Sequence, residues 1–269
     1  MSADLTSTRS ARVTEVRHLH DRRHRAERGA FVVEGPQAVR EALARSVLEL
    51  YVTEAAAQRY PEFLERARSQ GARVALATDD VLDAMSQTQN PQGVIAVCAL
   101  VTRPLGEVIG SLASSAPLVV VLDRVADPGN AGTIIRTADA MGADAVILTD
   151  GSVDPHNGKC VRSTAGSIFH VPLSTDATMT EVLASAREAG LRLVAADAHA
   201  SAALTDAAEL LRGPIAWVFG SEAHGVDPAW RESVDATVRI PMAGAAESLN
   251  LAASAAICLY ATSAARSGT

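Results

Sequence analysis

The pattern of apolar and polar positions divides the 269-residue chain into two stretches of alternating strand-like and helix-like segments. In the first, the β-branched run at the head of "AFVVEGPQAVREALAR" (30–45) breaks at Gly-Pro. A helical pattern follows, with Val39, Leu43 and Val47 on one face. "LELYVTE" (48–54), "RVALAT" (73–78) and "GVIAVCAL" (93–100) read as further strands, with helices near 60–70 and 79–86. Then comes "VTRPLGEVIGSLASSAP" (101–117), small-residue-rich and bracketed by prolines, which reads as a linker or linking helix. Beyond it, apolar runs recur at 118–123, 144–149, 191–196, 215–219 and 236–240, separated by helical patterns near 131–141, 178–189, 203–211 and 248–265. These strands are continuously apolar, as expected of a parallel sheet covered by helices on both faces. The expectation is an α/β protein with a smaller domain at 1–100, a linker at 101–117 and a doubly wound domain at 118–269.

Composition changes the picture little. Apolar residues make up 48% of the chain and aromatics 3%, which suits a compact α/β protein and excludes a disordered one. The three cysteines, Cys98, Cys160 and Cys258, are far apart and read as reduced, buried thiols. No metal-ligand spacing is visible, so no metal is expected. The opening residues lack an apolar core segment and read as no secretory signal, and no apolar run is long enough to span a bilayer. A cytoplasmic protein is expected.

Charge adds one point. The net charge is −7, yet residues 1–116 carry 14 arginines against 14 acids, so the excess lies wholly in 117–269. Near the start, Arg22, Arg23 and Arg25 stand among seven arginines between positions 9 and 28, interleaved with His18, His20 and His24. This basic stretch is a candidate RNA contact, or else an ion-paired helix face.

Open parallel sheets bind ligands beyond the carboxyl ends of their strands, and three loops there carry chemistry. In "DPGNAGTIIRTADAMGADAVIL" (127–148), Ile134, Ile135, Ala138 and Met141 form a buried stripe, and Gly142 sits where a helix ends. Arg136 falls off that stripe, and a guanidinium beside a glycine-rich turn suits a phosphate or carboxylate. Only Gly129 and Gly132 are present, so the dinucleotide fingerprint fails. In "PIAWVFGSEAHGVDPA" (214–229), a strand ends at Phe219 and leads to Gly220, Ser221 and Glu222. Glu222 can orient a hydroxyl or amine, or cap a turn, and His224 reads more readily as a bystander than as a base. In "VRIPMAGAAESLNLAASAAICLYATSAA" (238–265), Ser248 is a candidate N-cap of a long helix rich in small residues. Those residues suit close packing, inside one subunit or between two.

Taken together, "DRVADPGNAGTIIRTADAMG", "VFGSEAHGV" and "IPMAGAAESLNLAASAAICLY" resemble, in order and spacing, the three motifs of the SpoU/TrmH family of RNA ribose 2′-O-methyltransferases. "LHDRRHRAERGAFVVEGPQAVREAL" (19–43) is similar to the substrate-binding domain, akin to ribosomal protein L30e, that precedes the catalytic domain in many members. The resemblance implies a C-terminal trefoil-knotted methyltransferase domain, S-adenosylmethionine as methyl donor, a homodimer, and RNA, most of all ribosomal RNA, as substrate. It also implies cofactor contacts at Gly220, Ile240, Leu249 and Ala196, and a reacting ribose surrounded by Asn130, Arg136, Glu222, Ser248 and Asn250. Ser221 and Ala223 depart from the family's commonest wording, Asn and Gly. Arginine ordinarily stays protonated, so Arg136 is expected to bind a phosphate or a developing oxyanion, directly or while assisting proton loss.

Overall fold

The computed structural model describes residues 3–45 and 47–267 and divides into two compact units. The chain begins with helices α1 (Ala11–His18) and α2 (Arg22–Arg28), then β1 (Ala30–Glu34), α3 (Pro36–Ala42), β2 (Val47–Val52), α4 (Glu54–Arg59), α5 (Pro61–Ser69), β3 (Arg73–Leu76), α6 (Asp79–Met85) and β4 (Val94–Ala99). The four strands form one sheet in the order β1-β4-β2-β3, with β4 antiparallel to both its neighbours. Val13, Val16 and Leu19 of the N-terminal segment, Tyr51 of β2 and Met85 of α6 share its core. Val47, grouped with Val39 and Leu43 by helical spacing, instead starts β2, because α3 ends at Ala42.

The second unit opens with α7 (Leu105–Gly110), β5 (Leu118–Leu122), α8 (Pro128–Ala140) and β6 (Ala145–Thr149). After an excursion through α9 (Gly158–Thr164) it continues with β7 (Leu173–Ala177), α10 (Met179–Glu188), β8 (Arg192–Ala196), β9 (Ala202–Ala203), α11 (Ala208–Arg212), β10 (Ile215–Phe219), α12 (Pro228–Ser233), β11 (Ala236–Arg239) and α13 (Leu251–Ser267). Seven parallel strands lie in the order β7-β6-β5-β10-β8-β11-β9. Every residue of β5, β6 and β10 is buried, which explains their unbroken apolar runs. Val108 of α7 is buried in this unit's core, so the stretch read as a linker supplies part of it. Trp217 of β10 donates its indole N–H to Thr262 of α13 (2.9 Å), fixing the long helix on the sheet.

The excursion after β6 departs from the contiguous 118–269 domain read from the sequence. Asp154–Phe169 belongs to the first unit. There Asp154 accepts two hydrogen bonds from the buried Arg25 guanidinium (2.9 and 2.7 Å), and Arg25 also donates to the carbonyls of Leu19 and His20. Phe31 of β1 packs on the rings of His156 and Phe169, with centroids 4.7 and 6.0 Å apart. A buried arginine and a buried phenylalanine need partners of opposite kinds, and this one segment supplies both.

Among the described residues no helix is long and apolar enough to cross a membrane. The three cysteines are buried, and burial pushes the Cys258 thiol up to about 12.

Candidate active site

The functional residues of the second unit gather where β5, β8, β10 and β11 end. Helix α8 starts cleanly because the Asp127 side chain accepts from the Asn130 amide (2.9 Å) and Pro128 occupies the first turn, where no amide hydrogen is needed. It stops at Gly142, whose backbone is left-handed (φ 72°). Ile134, Ile135 and Ala138 are buried as expected, while Met141 is only half-buried.

Beyond β10 the chain folds tightly over itself. The Gly225 amide donates to the Ser221 carbonyl (2.9 Å), and a Cβ built on Gly220 would lie 2.0 Å from the Gly225 carbonyl oxygen. Only glycine fits at Gly220. The turn thrusts Glu222 toward the start of α8. One carboxylate oxygen accepts from the Asp127 amide (3.2 Å) and the Asn130 side-chain amide (3.0 Å), and the other from the Ala126 amide (3.2 Å). Asn250 donates in turn to the Asn130 side-chain carbonyl (3.1 Å). Burial by itself pushes the Glu222 carboxyl up. The hydrogen bonds from Asn130, its own amide, Ala126 and Asp127 outweigh this and hold it below the usual carboxylate range.

Asn250 has a second role. Its side-chain oxygen accepts from the amides of Ala252 (2.9 Å) and Ala253 (3.3 Å), capping α13. The sequence reading put that cap at Ser248. An N-cap must lie immediately before the first helical residue, Leu251, so Ser248 stays in the exposed loop instead.

Next to this chain of side chains lies a cavity of about 560 Å³. All four expected cofactor contacts, Ala196, Gly220, Ile240 and Leu249, line it, as do Glu222, Ser248 and Asn250. Asn130 does not line it, and reaches it through its bonds to Glu222 and Asn250. Arg136 is neither in the lining nor bonded to any described residue, and stands exposed on α8. His224 is exposed on the turn and lines the cavity, and its amide donates to the Ser221 hydroxyl (3.3 Å).

Sequence reasoning missed an ion pair in the cavity wall. Arg231 of α12 holds Asp197, just past β8, at 2.6 Å, and Asp197 is buried. An acid at a strand's carboxyl end in "AADAHA" was the available signal. In the first unit, Arg22 and Arg23 are exposed on α2, and Arg23 pairs with Glu27 (2.7 Å). Arg25 was grouped with them as an RNA contact and is not one of that kind. Only 3% of it is exposed, and its guanidinium is committed to Asp154 and two carbonyls.

A parallel sheet with a glycine-floored cavity at its carboxyl edge, beside a hydrogen-bonded Glu-Asn-Asn chain, defines a cofactor-binding enzyme domain that orients a polar substrate. Residues 117–260 match the SpoU rRNA Methylase family, and residues 10–96 match the MRM3-like substrate binding domain. The chain belongs to the SpoU rRNA methylase family.

Among its relatives is the 23S rRNA (guanosine(2553)-2′-O)-methyltransferase RlmP of Bacillus subtilis (strain 168), 33% identical over 260 residues, 95% of this chain and 97% of that protein. The 23S rRNA (guanosine-2′-O-)-methyltransferase RlmB of Bordetella pertussis (strain Tohama I) is 35% identical over 220 residues, 80% of this chain and 88% of that protein. The crystal structure of the AdoMet-bound rRNA methyltransferase from Sinorhizobium meliloti is 30% identical, covers 96% of both chains and superposes with a TM-score of 0.84.

Proposed function

We propose that this protein is an RNA ribose 2′-O-methyltransferase that uses S-adenosylmethionine to methylate ribosomal RNA. The observation that carries the reading is the Glu222–Asn130–Asn250 chain beside the Gly220 cavity. The cavity fits the cofactor. Its volume lies within the range of small-molecule sites, and the missing Gly220 side chain lets the Gly225 backbone close in behind it, which keeps the turn tight where it lines the cavity. Ala196, Gly220, Ile240 and Leu249 are the residues to hold it.

When bound, S-adenosylmethionine supplies a methyl group on a positively charged sulfur. What remains for the protein is to hold a ribose 2′-oxygen in line and to let its proton go. Glu222 is poorly placed as the base, because its oxygens already accept from two backbone amides and Asn130. Its task is to fix the Asn130 side chain, whose second amide hydrogen then points to the ribose. Ser248 offers a hydroxyl from the same wall. Arg136 supplies the charge: its free guanidinium binds the adjoining phosphate or the developing 2′-oxyanion.

Two finer statements belong to the same reading. The protein is a homodimer joined through α13, supported by Ala253, Ile257 and Tyr260, which form an exposed stripe at helical spacing. The exposed Arg22 and Arg23 of the first unit contact RNA phosphates. An rRNA substrate fits a cytoplasmic location.

The test offers labelled S-adenosylmethionine with unmodified ribosomal RNA and, separately, with bulk transfer RNA, and maps the product by alkaline cleavage. Label in ribosomal RNA with a single cleavage-resistant ribose is expected. Label only in transfer RNA overturns the substrate, and bound cofactor or none without transfer to either overturns the reaction. Arg136→Ala is expected to cut kcat roughly a hundredfold while leaving the melting temperature unchanged, since the side chain supports nothing else.

A further inference from the structure

Arg124 is the second residue past β5, and its backbone is left-handed (φ 49°), a conformation uncomfortable for a residue with a side chain. Its amide donates to the Thr149 hydroxyl (3.1 Å), which donates in turn to the buried Asp123 carboxylate (2.9 Å). The strained backbone is therefore pinned from beneath, and the side chain is sent across the sheet edge. There its guanidinium donates to Asp227 at 2.5 Å, with a longer contact to Asp123 at 3.4 Å. Asp227 is the last residue of the turn that carries Gly220 and Glu222. Its other oxygen accepts from the Ala229 amide (2.8 Å) and so starts α12. Arg231, on that helix, holds Asp197 in the cavity wall.

The loops after β5 and β10 are thus joined at three places: the Asp123 amide to the Phe219 carbonyl (2.8 Å), Glu222 to the Ala126 and Asp127 amides, and Arg124 to Asp227. Glu222 lies between the other two ties. We propose that Arg124 is a positioning residue for the methyl transfer: its bridge to Asp227 holds the turn at the distance that lets Glu222 set the Asn130 amide. The inference rests on the methyltransferase reading. With its side chain 53% exposed, Arg124 adds little to stability through this pair, so the gain lies in geometry.

Four variants separate this role from its competitors. Arg124→Gly removes the bridge yet suits the left-handed backbone, so melting should hold or rise. kcat on ribosomal RNA should fall roughly tenfold to a hundredfold, the scale of a small misplacement near reacting atoms, at unchanged KM for RNA. Arg124→Lys should recover part of the rate. Asp227→Asn keeps the α12 cap and loses the charge; it should match Arg124→Gly, and the double variant should lose nothing more. Amide hydrogen exchange on Asp227→Asn gives a readout without turnover: Ala126 and Asp127 should exchange faster than in the wild type. Wild-type exchange there overturns the proposal, as does an Arg124→Gly enzyme with normal kcat and raised KM, which would make Arg124 an RNA contact. Should the wild type transfer no methyl group, the functional reading fails, and the exchange rates still decide the bridge.

Discussion

At Glu222 both carboxylate oxygens are occupied before any substrate arrives, and this decides what the residue can do. Its donors hold it ionised, so the sign of its pH dependence follows. A carboxyl lowered below its ordinary 4.5 contributes above that value and is lost as pH falls through the lowered one. Asn130→Ala removes the strongest lowering contact, so Glu222 should take up its proton at higher pH. The acid limb of the single-turnover pH–rate profile should move up relative to wild type; an unmoved limb would separate the rate from Glu222. These identities were legible in the sequence because three motifs, each at a strand end, carry them. Their partners were not. Arg25 and Arg23 look alike in a row of arginines, and only the carboxylate of Asp154, 129 residues away, makes one structural and leaves the other on the surface.

Helix α13 shows how one residue serves an element and a site together. Asn250 caps it through an oxygen and reaches Asn130 through a nitrogen. Asn250→Asp keeps the acceptor and loses the donor, so it should melt like wild type and methylate poorly. Asn250→Ala loses both, and should also cost about 1 kcal/mol in thermal unfolding. Equal melting of the two variants would remove the cap from this account. Central strands and long helices were readable because burial on both faces leaves an unmistakable run or stripe. β7 was missed since an edge strand carrying Ser174, Thr175 and Asp176 shows no such run, and α9 is too short, at seven residues, to display a helical stripe. The expectation of a knotted path came from the resemblance alone, for periodicity says nothing about threading.

For the molecule as a whole, the acidic excess sits in the part of the chain that forms the methylase unit, while the balanced part forms the substrate-binding one. What the local patterns could not reveal is that the first unit is discontinuous, because nothing in 154–169 marks it as foreign to its flanks. Burial alone pushes the Asp154 carboxyl up, but His156 and the Arg25 charge outweigh it and hold it far below the usual range. Arg25→Met leaves that carboxylate buried without its cation and should cost roughly 3 kcal/mol, read by urea unfolding near neutral pH. The Asp154–Arg25 contribution is complete above Asp154's ordinary 3.8 and fades as pH falls below it, so the deficit should shrink in acid. A deficit independent of pH would assign it to packing instead. The same discontinuity sets a timetable for synthesis. When residue 100 leaves the ribosome, Phe31 and Arg25 still lack their partners, and 69 more residues must follow before Phe169 exists. At ~5–20 residues per second the nascent first unit waits roughly 3–14 s for its missing piece, a window in which chaperones and neighbouring chains compete for the open face.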